Sequence, residues 1–191
     1  MVALSTLAAA QQALAAVGAG RDREAPRLKR KSLGGQDKNI GNPMDLTIRT
    51  AEAEDLDALA ELYTHLNPID DRPEPRILEE RWSTMLAQPG FSCIVGFSGG
   101  QLVSSCCLAI IPNLTRGGRP YALIENVVTH RDFRRQGFAK AILKEALNRA
   151  WRTECYKVML LSGSKRPETH RFYESCGFRS HEKTGFVARP S

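Results

Sequence analysis

Three groups of side chains in this 191-residue chain could do chemistry together. The first is the turn Arg134-Arg135-Gln136-Gly137-Phe138-Ala139-Lys140, between a strand-like run and an amphipathic run. A helix that starts there has N–H groups without intrahelical acceptors and the positive end of its dipole, which makes a ready anion site. Gly137 and small Ala139 let a phosphate approach the backbone, while Arg134, Arg135 and Lys140 add charge. Neither G-x-x-x-x-G-K-[ST] nor G-x-G-x-x-G is present, and taken alone the turn is better read as an ordinary basic helix start. The second group is Glu125, an acid inside the otherwise apolar run Tyr121–Thr129. Strand alternation sets it on the face shared by Leu123 and Val127. A carboxylate there is either partnered or held with a raised pKa, as a general base requires. The third is Tyr173, whose phenol could protonate a leaving thiolate, or which could simply be a half-buried aromatic of an amphipathic helix.

These groups need elements to hold them. Leu46-Thr47-Ile48 alternates as a strand, and residues 55–66 place Leu56, Leu59, Leu62, Tyr63 and Leu66 on one helical face. Asn67-Pro68 ends that helix, and an acidic, Pro-rich loop leads to a second helix over 76–86 with Ile77, Leu78, Trp82, Met85 and Leu86 as its apolar side. Strands over 91–97 and 102–111 are joined through Ser98-Gly99-Gly100, a hairpin signature. The strand over 121–129 follows a Gly-rich loop, and Ala139, Ile142, Leu143, Ala146, Leu147 and Ala150 mark a helix over 137–151. A strand over 157–161, a helix over 167–176 opened by Pro167 and closed by Gly177, and a last strand pair around Phe178 and Phe186 complete the order β-α-α-β-β-β-α-β-α-β. The class is mixed α/β.

The charge supports this division. The chain carries 27 basic and 21 acidic residues, of which residues 1–43 hold seven and three. The basic excess therefore lies mostly in a basic, Ala/Gly-rich N-terminal extension, expected to be poorly ordered, while residues 44–191 are almost balanced. Met44 stands as a natural start for the domain. Nucleic acid is not an expected partner of such a body. No run of about 20 apolar residues exists to cross a bilayer as a helix, and the extension fits neither a secretory signal nor a mitochondrial-type leader. Cys93, Cys106, Cys107, Cys155 and Cys176 are odd in number, lack C-x-x-C, and read as small buried hydrophobes of a reducing, cytoplasmic setting. Neighbouring Cys106 and Cys107 point to opposite faces of a strand, so no metal site is expected.

Taken together, the turn with Arg134, Gln136, Gly137 and Ala139 and the closing Phe172-Tyr173 with Gly177-Phe178 resemble the GNAT acyltransferase superfamily over residues 46–187. Within it, Ile-Glu-Asn-Val-Val at 124–128, Cys155-Tyr156-Lys157 and the Phe172–Phe178 run look most like the glucosamine-phosphate N-acetyltransferase branch. Two features depart from it: Ser162-Gly163-Ser164 stands where that branch has an acid after the strand, and Arg166 stands where many members have Asn.

The resemblance implies a GNAT fold and an enzyme that moves an acetyl group from acetyl-CoA to the primary amine of a small molecule or peptide. It implies that the 134–140 turn (Arg134, Arg135, Gln136, Gly137, Phe138, Ala139, Lys140) cradles the pyrophosphate, and that the pantetheine arm pairs like an added strand with Val127 and Thr129. Glu125 would take the amine proton, directly or through water. Backbone N–H groups around Val127 and Val128 would stabilise the oxyanion, and Tyr173 would return a proton to the thiolate. His65, His130, His170 and His181 are the rival acid–base groups. A homodimer is compatible with this reading.

Three other functions compete with this reading: an acetyl-CoA-binding module without turnover, nucleic-acid binding through the basic extension, and a cysteine nucleophile at Cys176. The last is disfavoured because Cys176 sits at a helix C-terminus, where the dipole opposes a thiolate. Asp70, Asp71 and Glu74, in the loop expected to flank the acceptor cleft, suit a cationic amine as well as they suit a solvated loop.

Overall fold

The computed structural model describes residues 46–69 and 71–190. The extension over 1–43, Met44 and Asp70 lie outside the described residues. Five strands form one sheet in sequence order: β1 (Leu46–Thr50), β2 (Phe91–Ser98), β3 (Gln101–Ile111), β4 (Tyr121–Thr129) and β5 (Val158–Leu160). The first four are antiparallel neighbours, and β5 runs parallel to β4. Among the described residues four α-helices flank the sheet: α1 (Leu56–Tyr63), α2 (Pro75–Ala87), α3 (Phe138–Arg152) and α4 (Pro167–Ser175). None among the described residues is long and apolar enough to cross a membrane.

The sheet is buried on both faces, so its central strands read as continuous apolar runs rather than as alternation. On one face, Ile94, Cys106, Leu108, Ala122 and Ile124 pack against Ile142, Leu143, Ala146 and Ala150 of α3. Burying Ile142 and Leu143 completely contributes about 1.5–3 kcal/mol each. Close approach of α3 depends on Gly96, where an added Cβ would meet Ile142 at 3.0 Å and Leu46 at 3.1 Å. On the other face, Cys93, Val95, Leu102, Cys107 and Val128 pack against Leu59 and Leu62 of α1 and Trp82 of α2. The two neighbouring cysteines thus do face opposite sides. A partly exposed Arg49 grips the buried Asp55 through two bonds of 2.6 and 2.8 Å, and Asp55 also accepts the Glu52 N–H. This fixes how the chain enters α1.

Two expectations change. Helix α1 stops at Tyr63 rather than at 66, because the next N–H groups tighten into a three-residue pattern, Leu66 N–H to the Tyr63 carbonyl at 2.9 Å. Leu66 is thereby turned outward and is 43% exposed. The expected strand pair around Phe178 and Phe186 does not form: no strand follows α4 among the described residues. After Phe178 the segment is exposed, with Phe186 at 90% and Val187 at 69%. Arg179-Ser-His-Glu-Lys-Thr-Gly offers no alternating apolar face to bury, and β5 presents only three residues to pair with.

Candidate active site

The sheet opens where β4 and β5 part. Strand β5 pairs only with Ala122–Ile124, leaving β4 without a neighbour on that side from Glu125 to Thr129. The direction of the free groups follows from the ladder. His130 donates to the Val103 carbonyl, so alternation turns the backbone groups of Thr129 away from β3 and those of Val128 towards Ser105. Thr129 accordingly offers its carbonyl to Arg134 Nε at 3.2 Å.

A bulge interrupts β4. Between the pairs Ser105–Val128 and Cys107–Glu125, the two residues Asn126 and Val127 stand against Cys106 alone. Asn126 takes φ +52°, a left-handed conformation that Asn accepts more readily than most residues. The Asn126–Val127 peptide is left outside the ladder. The bulge also corrects the alternation argument. Glu125 lies opposite Cys107, on the face of α1 and α2, whereas Val127 packs on the α3 face. Glu125 is exposed and makes no hydrogen bond or ion pair among the described residues, so it is neither the partnered nor the buried carboxylate that simple alternation suggested.

The opposite wall is the start of α3. Its N-cap, Gly137, has φ +89°, and Arg135 has φ +63°. An added Cβ at Gly137 would meet nothing within 4 Å, so glycine is needed there for its backbone conformation and not for space. The first helical bond runs from Ala141 N–H to the Gly137 carbonyl, which leaves the N–H groups of Phe138, Ala139 and Lys140 without intrahelical acceptors.

Between these walls lies a cleft of about 620 Å³, well within the size of a cofactor site. Val127, Val128, Thr129, Arg134, Arg135, Gly137, Phe138, Ala139 and Lys140 line it, joined by Tyr173 from α4. Gln136 does not; its amide donates to the Asp132 carbonyl at 3.1 Å and braces the turn. Arg134 is partly committed as well, since it also donates to the His65 carbonyl at 3.1 Å and so ties the end of α1 to the end of β4. Arg135 is exposed.

A smaller cavity of about 210 Å³ adjoins the cleft, and Leu66, Val127 and Tyr173 line both. Glu125 and Asn126 face the smaller one, where Glu125 is the only charged lining residue among the described residues. Burial holds the Tyr173 phenol above its ordinary pKa, so it carries its proton at neutral pH. The cleft and the cavity therefore bring Glu125 and Tyr173 to one junction. Sequence reasoning missed Leu66 and Phe133 as lining residues and gave no role to Asn126, whose one signal was a poor strand former inside a strand.

The rival histidines sit elsewhere in the structure. His65 and His130 meet edge to face at 4.1 Å, and burial with the charges of His130, Arg131 and Arg134 lowers the pKa of His65. His170 Nε2 is 2.7 Å from the Ser164 carbonyl and fastens the loop before α4. Exposed His181 lines neither cavity.

Comparison with known proteins agrees with this architecture. The acetyltransferase (GNAT) family profile matches residues 56–178. The chain belongs to that family. A Trypanosoma brucei brucei protein named glucosamine 6-phosphate N-acetyltransferase is 34% identical over 143 residues, covering 73% of this acetyltransferase and 93% of the relative. A solved Agrobacterium tumefaciens C58 protein assigned as an acetyltransferase is 44% identical with a TM-score of 0.73, covering 75% of this chain and 99% of its own. A Trypanosoma brucei acetyltransferase structure is 32% identical with a TM-score of 0.65, covering 76% and 100%.

Proposed function

We propose that this GNAT acetyltransferase moves the acetyl group of acetyl-CoA to the primary amine of a small molecule, and that the junction of the two cavities is where the transfer occurs. The observation that carries the reading is the junction itself: an anion-binding helix start on one side, a free carboxylate on the other, and a protonated phenol lining both. The cleft suits acetyl-CoA. The free N–H groups of Phe138, Ala139 and Lys140 together with Arg135 would hold its pyrophosphate, and the outward backbone groups of Thr129 and the Val127 carbonyl would pair with its amide-bearing arm. When bound, acetyl-CoA supplies an activated acyl group and a thiolate leaving group.

Glu125 receives the proton of the incoming ammonium, directly or through water. As a charged group of the smaller cavity, it also favours a cationic acceptor. The N–H of the Asn126–Val127 peptide, released from the ladder by the bulge, is available to the developing oxyanion. The N–H of Val128 is turned towards Ser105 and is the weaker choice. Tyr173 donates its proton to the departing sulfur.

The relative's name makes glucosamine 6-phosphate the first acceptor to test, beside unphosphorylated amino sugars, polyamines, aminoglycosides, amino acids and peptide N-termini. The readout is free thiol released from acetyl-CoA by the full chain, with the acetylated product identified by mass. Amine-dependent thiol release supports the proposal. Tight acetyl-CoA binding without release by any amine would mean a binding module instead.

A further inference from the structure

Below Glu125, on the face of α1 and α2, lies a pair of thiols that the transfer reaction does not use. Cys93 of β2 and Cys107 of β3 are directly opposite each other, only 1% and 3% exposed, and in the same cluster. All five cysteines of the chain are free.

The type of pairing matters. Ala51 N–H donates to the Cys93 carbonyl at 2.8 Å, so the backbone groups of Cys93 point to the β1 side. Three pairs away, Ile110 N–H donates to the Gly90 carbonyl at 2.7 Å, which assigns the even-numbered residues of β2 to bonding with β3. Both bonds make Cys93–Cys107 a non-hydrogen-bonded pair. Such pairs have Cα atoms about 4.5 Å apart with side chains drawn together, inside the range of roughly 4.4–6.8 Å that a disulfide spans.

The two sulfurs are also unequal. Tyr63 Oη lies 3.5 Å from Cys107 Sγ, and Asn126 Nδ2 donates to it at 3.9 Å. Hydrogen bonds from Cys93, Tyr63 and Asn126 hold the Cys107 thiol below its ordinary pKa against the opposing effect of burial. The bond to Cys107 and burial push Cys93 up. One thiol is thus prepared to be a nucleophile and the other remains protonated beside it. Asn126 lines the smaller cavity, so a small oxidant in that cavity is one side chain from Cys107 sulfur.

We propose that Cys93 and Cys107 are a redox modification site that closes into a cross-strand disulfide when the chain meets hydrogen peroxide. The Cys107 thiolate attacks the peroxide O–O bond, giving a sulfenic acid and, after protonation of the departing hydroxide, one water. Cys93 sulfur then gives up its proton and attacks Cys107 sulfur, forming the S–S bond and releasing the second water. Two thiols lose two protons and two electrons, and the peroxide is reduced to two waters. A bridge across one sheet pair encloses few alternative partners: Cys106 faces the other side with Cys155, and Cys176 lies half-buried near α4.

The test uses the full chain, reduced, freed of reductant and exposed to hydrogen peroxide. Remaining thiols are alkylated under denaturing conditions, and the digest is mapped by mass. The expected result is one linked peptide pair joining Cys93 and Cys107, lighter by two hydrogens and separated again by dithiothreitol. Cys93→Ala should leave Cys107 as a sulfenic acid captured by dimedone, and Cys107→Ala should abolish both link and capture. The wild-type map decides the matter even if a variant does not fold. All five thiols still alkylated, a link through another cysteine, or Cys107 oxidised without joining Cys93 would each overturn the proposal.

Discussion

Glu125 and Val127 are two residues apart in one strand, yet they lie on opposite faces of the sheet. The extra residue at Asn126 inverts the alternation between them. It leaves the carboxylate at the smaller cavity and presents Val127 to the cleft. The proposed division of labour in the site rests on that inversion.

Replacing Glu125 by Gln should therefore be nearly silent in melting temperature, because the carboxyl is exposed and unbonded. Turnover should fall by ~10²–10⁴, the range for a lost general base, with acetyl-CoA affinity retained. Tyr173→Phe should also lower turnover with binding intact. Parallel measurement of melting and thiol release on both variants checks this; wild-type turnover in stable variants would assign the protons to other groups.

Asn126 provides a test of the bulge itself. A β-branched residue at φ +52° pays the left-handed penalty of about 1–2 kcal/mol, so Asn126→Val should lower the urea midpoint and reduce turnover together. Asn126→Gly accepts the conformation and loses only the contact with Cys107. It should keep most of the activity. Equal turnover losses in both variants would point to the amide group and not the backbone shape.

Arg134 and Arg135 are neighbours with different duties. Arg134→Ala removes bonds to the Thr129 and His65 carbonyls and should lower both melting temperature and acetyl-CoA affinity. Exposed Arg135 holds no such bonds, and Arg135→Glu should leave melting unchanged. It should weaken acetyl-CoA by about 1–2 kcal/mol at low salt and by less at high salt. Calorimetry at two ionic strengths separates the two residues.

The Arg49–Asp55 pair predicts an acid-sensitive entry into α1. Hydrogen bonding from Arg49 holds the Asp55 carboxyl below its usual range, with burial opposing. A depressed native pKa contributes stability that is complete above the unfolded value of about 3.9 and fades as pH falls through the native one. Asp55→Asn should cost about 2 kcal/mol near neutrality, and its urea midpoint should approach that of the wild type below about pH 4. A constant difference across that range would assign the loss to packing.

Local pattern alone determined much of this protein. The 3.6-residue spacing of Ala139, Ile142, Leu143, Ala146 and Ala150 marks one buried stripe, and Gly137 and Gly177 punctuate the helix ends; these are properties of neighbouring residues and survive without a tertiary fold. The glycine-capped basic helix start at 134–140 and the place of Tyr173 on α4 were legible for the same reason. Pairing decisions were not. Whether 178–190 becomes a strand depends on a partner edge that β5, three residues long, barely supplies. Whether Glu125 faces Val127 depends on which residues of β3 it meets, and one unpaired residue reverses the answer. The meeting of Cys93 with Cys107 is likewise a fact of register. A chain's own order fixes what each residue prefers, but contacts between distant segments are chosen by the packing of whole faces, and only the assembled sheet shows that choice.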